Sequence, residues 1–252
     1  MIIIQLSKDE GVLLRKALKP LVIVERMGTI RYTPDGFSLI VSEQDGFVIA
    51  ALQIKSSDIE YFNCNWPSAS AGINLANLYD KLLRFGDECL FSMVAEDEAI
   101  ICLQCKNRRT GAIIYSTMKL SEVTEEHADI DGRLQFEYEA VIGIHSAEFR
   151  RILSKLIHRG DKKAFVLVTK EVVMVYGSAD GFFLRKEFGE CIVGGVGEEV
   201  IQMSFSLVEV ISYQEASALS SFVWILYSKD GPPVLNCPVG AIGNLMFYFM
   251  IP

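Results

Sequence analysis

Nowhere in the 252 residues does an apolar run approach the ~18 to 20 residues that a membrane-spanning helix needs, although half of the chain is hydrophobic. A helical membrane protein is therefore not expected. The opening "MIIIQLSKDE" has neither a basic leader region nor a small-residue cleavage site, so the chain reads as intracellular. Histidine is scarce: the three, at 127, 145 and 158, have no nucleophile at a recognisable spacing. Cysteine is sparse and scattered, at 64, 89, 102, 105, 191 and 237. The single Cys-x-x-Cys, "CLQC" at 102–105, lies in an alternating strand-like run with no second pair, which is poor material for a zinc site. In a reducing compartment the six are expected as thiols, small core residues rather than ligands. "GGVGEE" at 194–199 lacks the dinucleotide pattern and the phosphate-loop Lys-Ser/Thr. No catalytic residue, metal or cofactor is expected, and an enzyme with a duplicated α+β fold ranks last among the readings. Positive charge is also short, 24 Lys and Arg against 32 Asp and Glu, for a net charge of −8. Such a surface on average repels phosphate, so a polyanionic partner needs a locally reversed field.

What is present is a repeated pattern. Helical periodicity is clearest at 8–19, with Leu13, Leu14, Ala17 and Leu18 as its apolar stripe, and at 146–159, with Phe149, Ile152, Leu153, Leu156 and Ile157. Weaker helices are expected at 72–84 and 205–217. Between them the chain alternates like strands. "IRYTPDGFSLIVSEQDGFVIAALQI" holds two Asp-Gly turn signals, "FVLVTKEVVMVYGSADGFFLRKEF" repeats the layout, and further strand runs follow at 89–105 and 222–237. Each half reads helix, strands, helix, strands, which is an internal duplication. The acidic, aperiodic "LSEVTEEHADIDGRLQ" at 120–135 has the character of an exposed connector. Domains are expected at 1–117 and 136–252, joined by 118–135.

Charge segregates along this pattern. The helical segments at 8–19, 72–84 and 146–159 carry four, two and four Lys/Arg against two, one and one acids, while 205–217 carries two acids and no base. The four segments together are thus +4 and the remainder −12. If they share one face of a sheet, that face attracts a phosphate backbone without reading bases.

The chain resembles the proliferating cell nuclear antigen family of eukaryotic DNA sliding clamps over essentially its whole length. The resemblance is carried by "VLLRKALKPL" (12–21), the hairpin from Gly36 to Ile54, "GINL" (72–75), "MKL" (118–120), "SAEFRRI" with "LIHRGD" (146–161), "LSS" (219–221) and the terminal "PVLNCPVGAIGNLMFYFMIP". It implies an α+β fold of two similar clamp domains, with helices on the inner face of curved antiparallel sheets. It also implies a closed homotrimeric ring around double-stranded DNA, without sequence preference. Such a ring is a processivity factor for DNA polymerase, is placed by a clamp loader, and docks nuclease and ligase clients through short peptides. The implied location is the nucleus, or the replication compartment of a virus.

Carried over by position, the channel-lining residues are Arg15, Lys16, Lys81, Arg84, Arg151 and Lys155. The client-peptide pocket comprises Ser42, Phe47, Ile49, Ala128, Ile130, Ser206, Pro233, Phe249, Ile251 and Pro252. The subunit contact falls on two edge strands around 110–117 and 180–187, with Ala112, Ile113, Ile114 and Tyr115 on one and Phe182, Phe183, Leu184 and Arg185 on the other. Lys170 stands near the family's modified lysine. The departures are the fourth helix, with Glu209, Glu215 and no base, and the pocket positions Ser42 and Ala128, which are smaller or more polar than usual. Two alternatives follow: a subunit of a heterotrimeric checkpoint-type clamp, and a clamp-like interaction protein that no longer encircles DNA.

Overall fold

The computed structural model describes residues 1–87, 89–96, 99–123, 136–179 and 181–250. In the first half the order is β1 (Ile2–Leu6), α1 (Lys8–Val24), β2 (Met27–Thr33), β3 (Gly36–Ser42), β4 (Val48–Lys55), β5 (Tyr61–Cys64), β6 (Ala69–Asn74), α2 (Leu75–Phe85), β7 (Cys89–Ala95), β8 (Ile100–Asn107) and β9 (Ile113–Lys119). The second half follows with β10 (Ala140–His145), α3 (Ser146–His158), β11 (Lys163–Val168), β12 (Val172–Tyr176), β13 (Gly181–Arg185), β14 (Cys191–Gly194), β15 (Ile201–Ser206), α4 (Val210–Ser217), β16 (Phe222–Tyr227), β17 (Val234–Val239) and β18 (Gly243–Phe249). The described strands and α-helices of both halves follow the same order, so the duplication read from periodicity is also one of topology.

The helices start where their capping chemistry lies. Ser7 and Glu10 form a reciprocal capping box on α1, and Asn74 accepts from the Asn77 N–H at 2.8 Å to open α2. Three helix boundaries differ from those read in the sequence. α1 runs through Pro20 to Val24 because Leu21 and Val24 continue its buried stripe. α2 begins at Leu75, since Gly72 to Asn74 complete β6 against β2. α4 begins at Val210, since Phe205 and Ser206 complete β15 against Ala164 and Lys163.

Three antiparallel sheets result among the described residues. Five strands run β5-β1-β7-β8-β9, four run β13-β12-β11-β15, and nine run β14-β10-β16-β17-β18-β4-β3-β2-β6. The nine-stranded sheet joins the halves through β18 and β4, paired over seven residues from Gly243↔Ile54 to Phe249↔Val48. Its alternating side chains divide between two apolar clusters. Val48, Ala50, Leu52, Phe247 and Phe249 pack with the helices, while Ile49, Ala51, Tyr248 and Trp224 cover the other face.

The cysteines depart from expectation at two places, the Cys89–Cys105 pair and Cys102. The β7–β8 ladder brings the Cα atoms of Cys89 and Cys105 to 5.7 Å, and a disulfide joins them. Cys64, Cys102, Cys191 and Cys237 are thiols, and Cys102 is exposed rather than in the core. Cys102 and Cys105, three apart on one strand, point to opposite faces, so "CLQC" cannot converge on a metal.

Candidate nucleic-acid interface: a row of helices between two open edges

The four described helices, far apart in sequence, lie side by side in the order α2, α1, α4, α3. Polar links stitch the row. Arg15 of α1 pairs with Asp87, just beyond α2, at 2.5 Å. Ser212 of α4 is buried and donates to the Pro20 carbonyl of α1 at 2.8 Å. Lys19 of α1 meets Glu215 of α4 at 2.7 Å, and this hydrogen bond raises the lysine's pKa above its ordinary value. On the far side, Arg150 of α3 donates to Ser217 at 3.3 Å, and Gln214 donates to Ser154 at 3.0 Å.

The cations expected on the inner wall divide into groups. Lys16 and Arg84 are exposed. Arg15 is only 17% exposed in its ion pair, so it belongs to the helix seam more than to the surface. Lys81 reaches sideways and donates to the Ser116 hydroxyl of β9 at 2.5 Å. Arg151 pairs with Glu148 one turn earlier, and that partner pulls the Glu148 carboxyl below its usual range. Arg151 and Lys155 also stand over the ring of Phe182 on β13, at 5.5 and 5.6 Å, and Arg159 joins them at 5.9 Å. The sequence places no base on α4, and its start exposes Val208 and Ile211.

Each end of the row meets an unpaired sheet edge. Among the described residues β9 pairs only with β8, and it lies beside α2. Ala112 just precedes it, and Ile113, Ile114 and Tyr115 are exposed, the tyrosine by 71%. Among the described residues β13 pairs only with β12, and α3 leans on it through Phe182. Phe183 is 63% exposed, Arg185 is exposed and Leu184 is buried. Duplication makes these edges informative. By element order β9 corresponds to β18 and β13 to β4, and β18 and β4 pair with each other inside the chain.

A separate cleft of about 400 Å³ is lined by Phe47, Ser206 and Phe249 together with Glu43, Asp45, Lys162, Lys163, Ser204, Phe205, Val208 and Met250. Ser42, Ile49 and Pro233 do not line it. Ser42 donates to the Glu43 carbonyl, Ile49 belongs to the cluster on the opposite sheet face, and the Pro233 carbonyl accepts from the Phe249 N–H at 3.1 Å. Phe249 is itself largely core, edge-on to Tyr213 at 5.6 Å and tilted on Phe205 at 5.2 Å. Ala128, Ile130, Ile251 and Pro252 lie outside the described residues. Beside the cleft, burial and then Asp45 push the Glu43 carboxyl up, while burial and then Glu43 push up Glu209.

Sequence reasoning missed Phe205, which it gave to a helix, and the Lys81–Ser116 and Phe182 contacts, which join residues distant in sequence. Lys170 is exposed between β11 and β12 and pairs with Glu198. The His145 ring lies tilted against Phe222, with centroids 4.1 Å apart, and His158 lies exposed in the last turn of α3.

No protein-family model matches the chain. It is similar to the proliferating cell nuclear antigen of Chaetomium thermophilum, 24% identical over 234 residues that cover 84% of either chain.

Proposed function

Starting from a chain that is proliferating cell nuclear antigen-like in sequence and fold, we propose that it is a sliding clamp: one arc of a closed ring of three clamp-fold subunits that encircles duplex DNA. It carries out no chemistry of its own. One observation carries the reading: β18 pairs with β4 inside the chain, while the equivalent pair, β9 and β13, is left open at opposite ends of the helix row. A head-to-tail contact between β9 of one subunit and β13 of the next repeats the internal junction, and a repeated heterologous contact of this kind closes a ring. The helix row then faces the hole. Lys16, Arg84 and Lys155 supply modest positive charge, with Lys19 and Arg151 partly neutralised by Glu215 and Glu148, enough to centre a duplex held by topology and too little to stall its sliding.

The cleft at Phe47, Ser206 and Phe249 is the docking place for a short client peptide with aromatic or aliphatic anchors, as polymerase, nuclease and ligase clients present. A nuclear replication and repair role follows, and Lys170, exposed on a turn, is the modification candidate. A second reading, a clamp-fold interaction protein that does not encircle DNA, draws on α4, where Glu215 ties up Lys19 and Val208 and Ile211 are bare. Loading onto nicked circular DNA separates the two. A working ring is retained on the circle and lost when it is linearised; retention that survives linearisation, or none at all, rejects encirclement.

A further inference from the structure

The disulfide between Cys89 and Cys105 has no part in the ring reading, and its surroundings give it one of its own. In the β7–β8 register Cys89 stands opposite Asn107 and Phe91 opposite Cys105, so the two cysteines are diagonal neighbours on the buried side of the sheet. Cys105 is fully buried and Cys89 is 7% exposed. The same Cys89 Sγ lies 3.0 Å from the carbonyl oxygen of Phe85, the last residue of α2, and Cys105 Sγ lies 3.9 Å from that oxygen. A carbonyl in the last turn of a helix has no intrahelical donor, and its partial negative charge suits an S–H. One sulfur is thus placed for two roles. Bonded to Cys105 it staples β7 to β8; as a thiol it donates to the end of α2.

The bond sits at a corner that also reaches α1. Gly86, at φ 76°, turns the chain out of α2, and Asp87 beside it holds Arg15 of α1 at 2.5 Å. A crevice of about 20 Å³, room for about one water, is lined in part by Gly11, Arg15, Phe85, Gly86, Phe91 and Cys89. It leads to Cys89 and not to Cys105.

We propose that Cys89 and Cys105 form a reversible redox latch at the α2–β7 corner, closed as a disulfide and open as two thiols, with Cys89 then capping α2. An external dithiol opens it. Its thiolate attacks Cys89 Sγ from the crevice and forms a mixed disulfide there, while the bond to Cys105 breaks and its electron pair leaves on Cys105, which takes a proton. The second thiolate of the reductant displaces Cys89, which takes the other proton and donates to the Phe85 carbonyl. Two electrons and two protons pass from the dithiol, which leaves as its own cyclic disulfide. A small-molecule disulfide runs the exchange backwards. In a reducing compartment the latch is open, as the sequence leads one to expect of its thiols, and the closed form marks oxidising conditions.

The test uses the full-length chain without denaturant, with dithiothreitol as reductant and glutathione disulfide as oxidant, and needs neither DNA nor a second subunit, so it is independent of the ring reading. Thiols are counted by alkylation and mass mapping. The oxidised chain holds four thiols; six are expected after reduction and four again after reoxidation, with Cys89 and Cys105 rejoined. The bond spans a sequence separation of 16, so opening it is expected to lower the melting temperature by roughly 6–12 °C and to speed amide exchange at the α2–β7 corner at least about tenfold, with the second half unchanged. Cys89→Ser keeps a donor for the Phe85 carbonyl and Cys89→Ala removes it, so the serine variant is expected to melt roughly 2–4 °C above the alanine variant. A bond that resists dithiothreitol until the chain unfolds, or a different cysteine pairing on reoxidation, overturns the latch. A serine variant that melts no higher than the alanine variant overturns the capped open form.

Discussion

Replacing Glu215 by Gln tests whether the helix row faces DNA. Lys19 and Glu215 meet at 2.7 Å with side chains 47% and 38% exposed. An ion pair so open to solvent contributes roughly 0.2–1 kcal/mol, because water screens the attraction and two long side chains lose freedom. Losing it therefore leaves the fold essentially intact. Glutamine keeps the shape and removes the charge, so Lys19 is released to a phosphate. Each phosphate neutralised steepens the dependence of log affinity on log salt by about 0.9. Over a fourfold rise in salt, one added contact changes affinity by about 3.5-fold, and three contacts around a ring by about 40-fold. The assay is fluorescence anisotropy on a short labelled duplex across a salt series, with thermal unfolding in parallel. Glu215→Gln is expected to steepen the slope by about one per bound subunit, and adding Lys19→Ala is expected to restore it. An unchanged slope in a stably folded variant means that Lys19 does not look onto the duplex, and the assignment of the helix row as inner wall is refuted.

Three further outcomes are expected. Tyr213 is fully buried, and its hydroxyl has no hydrogen-bond partner among the described residues, so Tyr213→Phe stabilises by about 1 kcal/mol, read as a rise of roughly 2–4 °C in a melting scan; a fall shows that the hydroxyl is satisfied. Phe47 is 43% exposed at the mouth of the cleft, so Phe47→Ala weakens binding of an aromatic-anchored client peptide by roughly 10-fold with little change in stability; calorimetric titration showing unchanged affinity removes Phe47 from the docking site. The Glu43 carboxyl is raised by burial and then by Asp45. A carboxyl raised in the folded state costs stability as pH climbs from its unfolded value, near ~4.3, through its folded one. Glu43→Gln therefore stabilises at neutral pH, with the gain vanishing below about pH 4; urea titrations at both pH values giving the same difference contradict the shift.

The turn chemistry of this fold is legible because it is local. Gly36 and Gly46, each after an aspartate, take the positive φ values that the Asp-Gly pairs announce, 147° and 72°. Helix ends are harder to read. An apolar stripe continues past Pro20, and Phe205 fits either a helix face or the last pair of a strand; the ladder with Ala164 decides for the strand. The site shows the same limit. Charge counting finds the cations, and periodicity finds their helices. Neither sees that Arg15 turns into a seam with Asp87, nor that Lys81 and Arg151 lean outward onto β9 and β13. Those contacts are set by packing between segments that sequence order keeps apart.

The ladder between β18 and β4 has a mechanical meaning. Seven consecutive backbone pairings, apolar on both faces except at Asn244↔Gln53, bind the two halves of this chain into one stiff segment. Bending there would break several buried hydrogen bonds at once. In the proposed ring, a circlet of such rods would yield at the joints between molecules. Any machine that pries it open to admit a double helix must grip those joints.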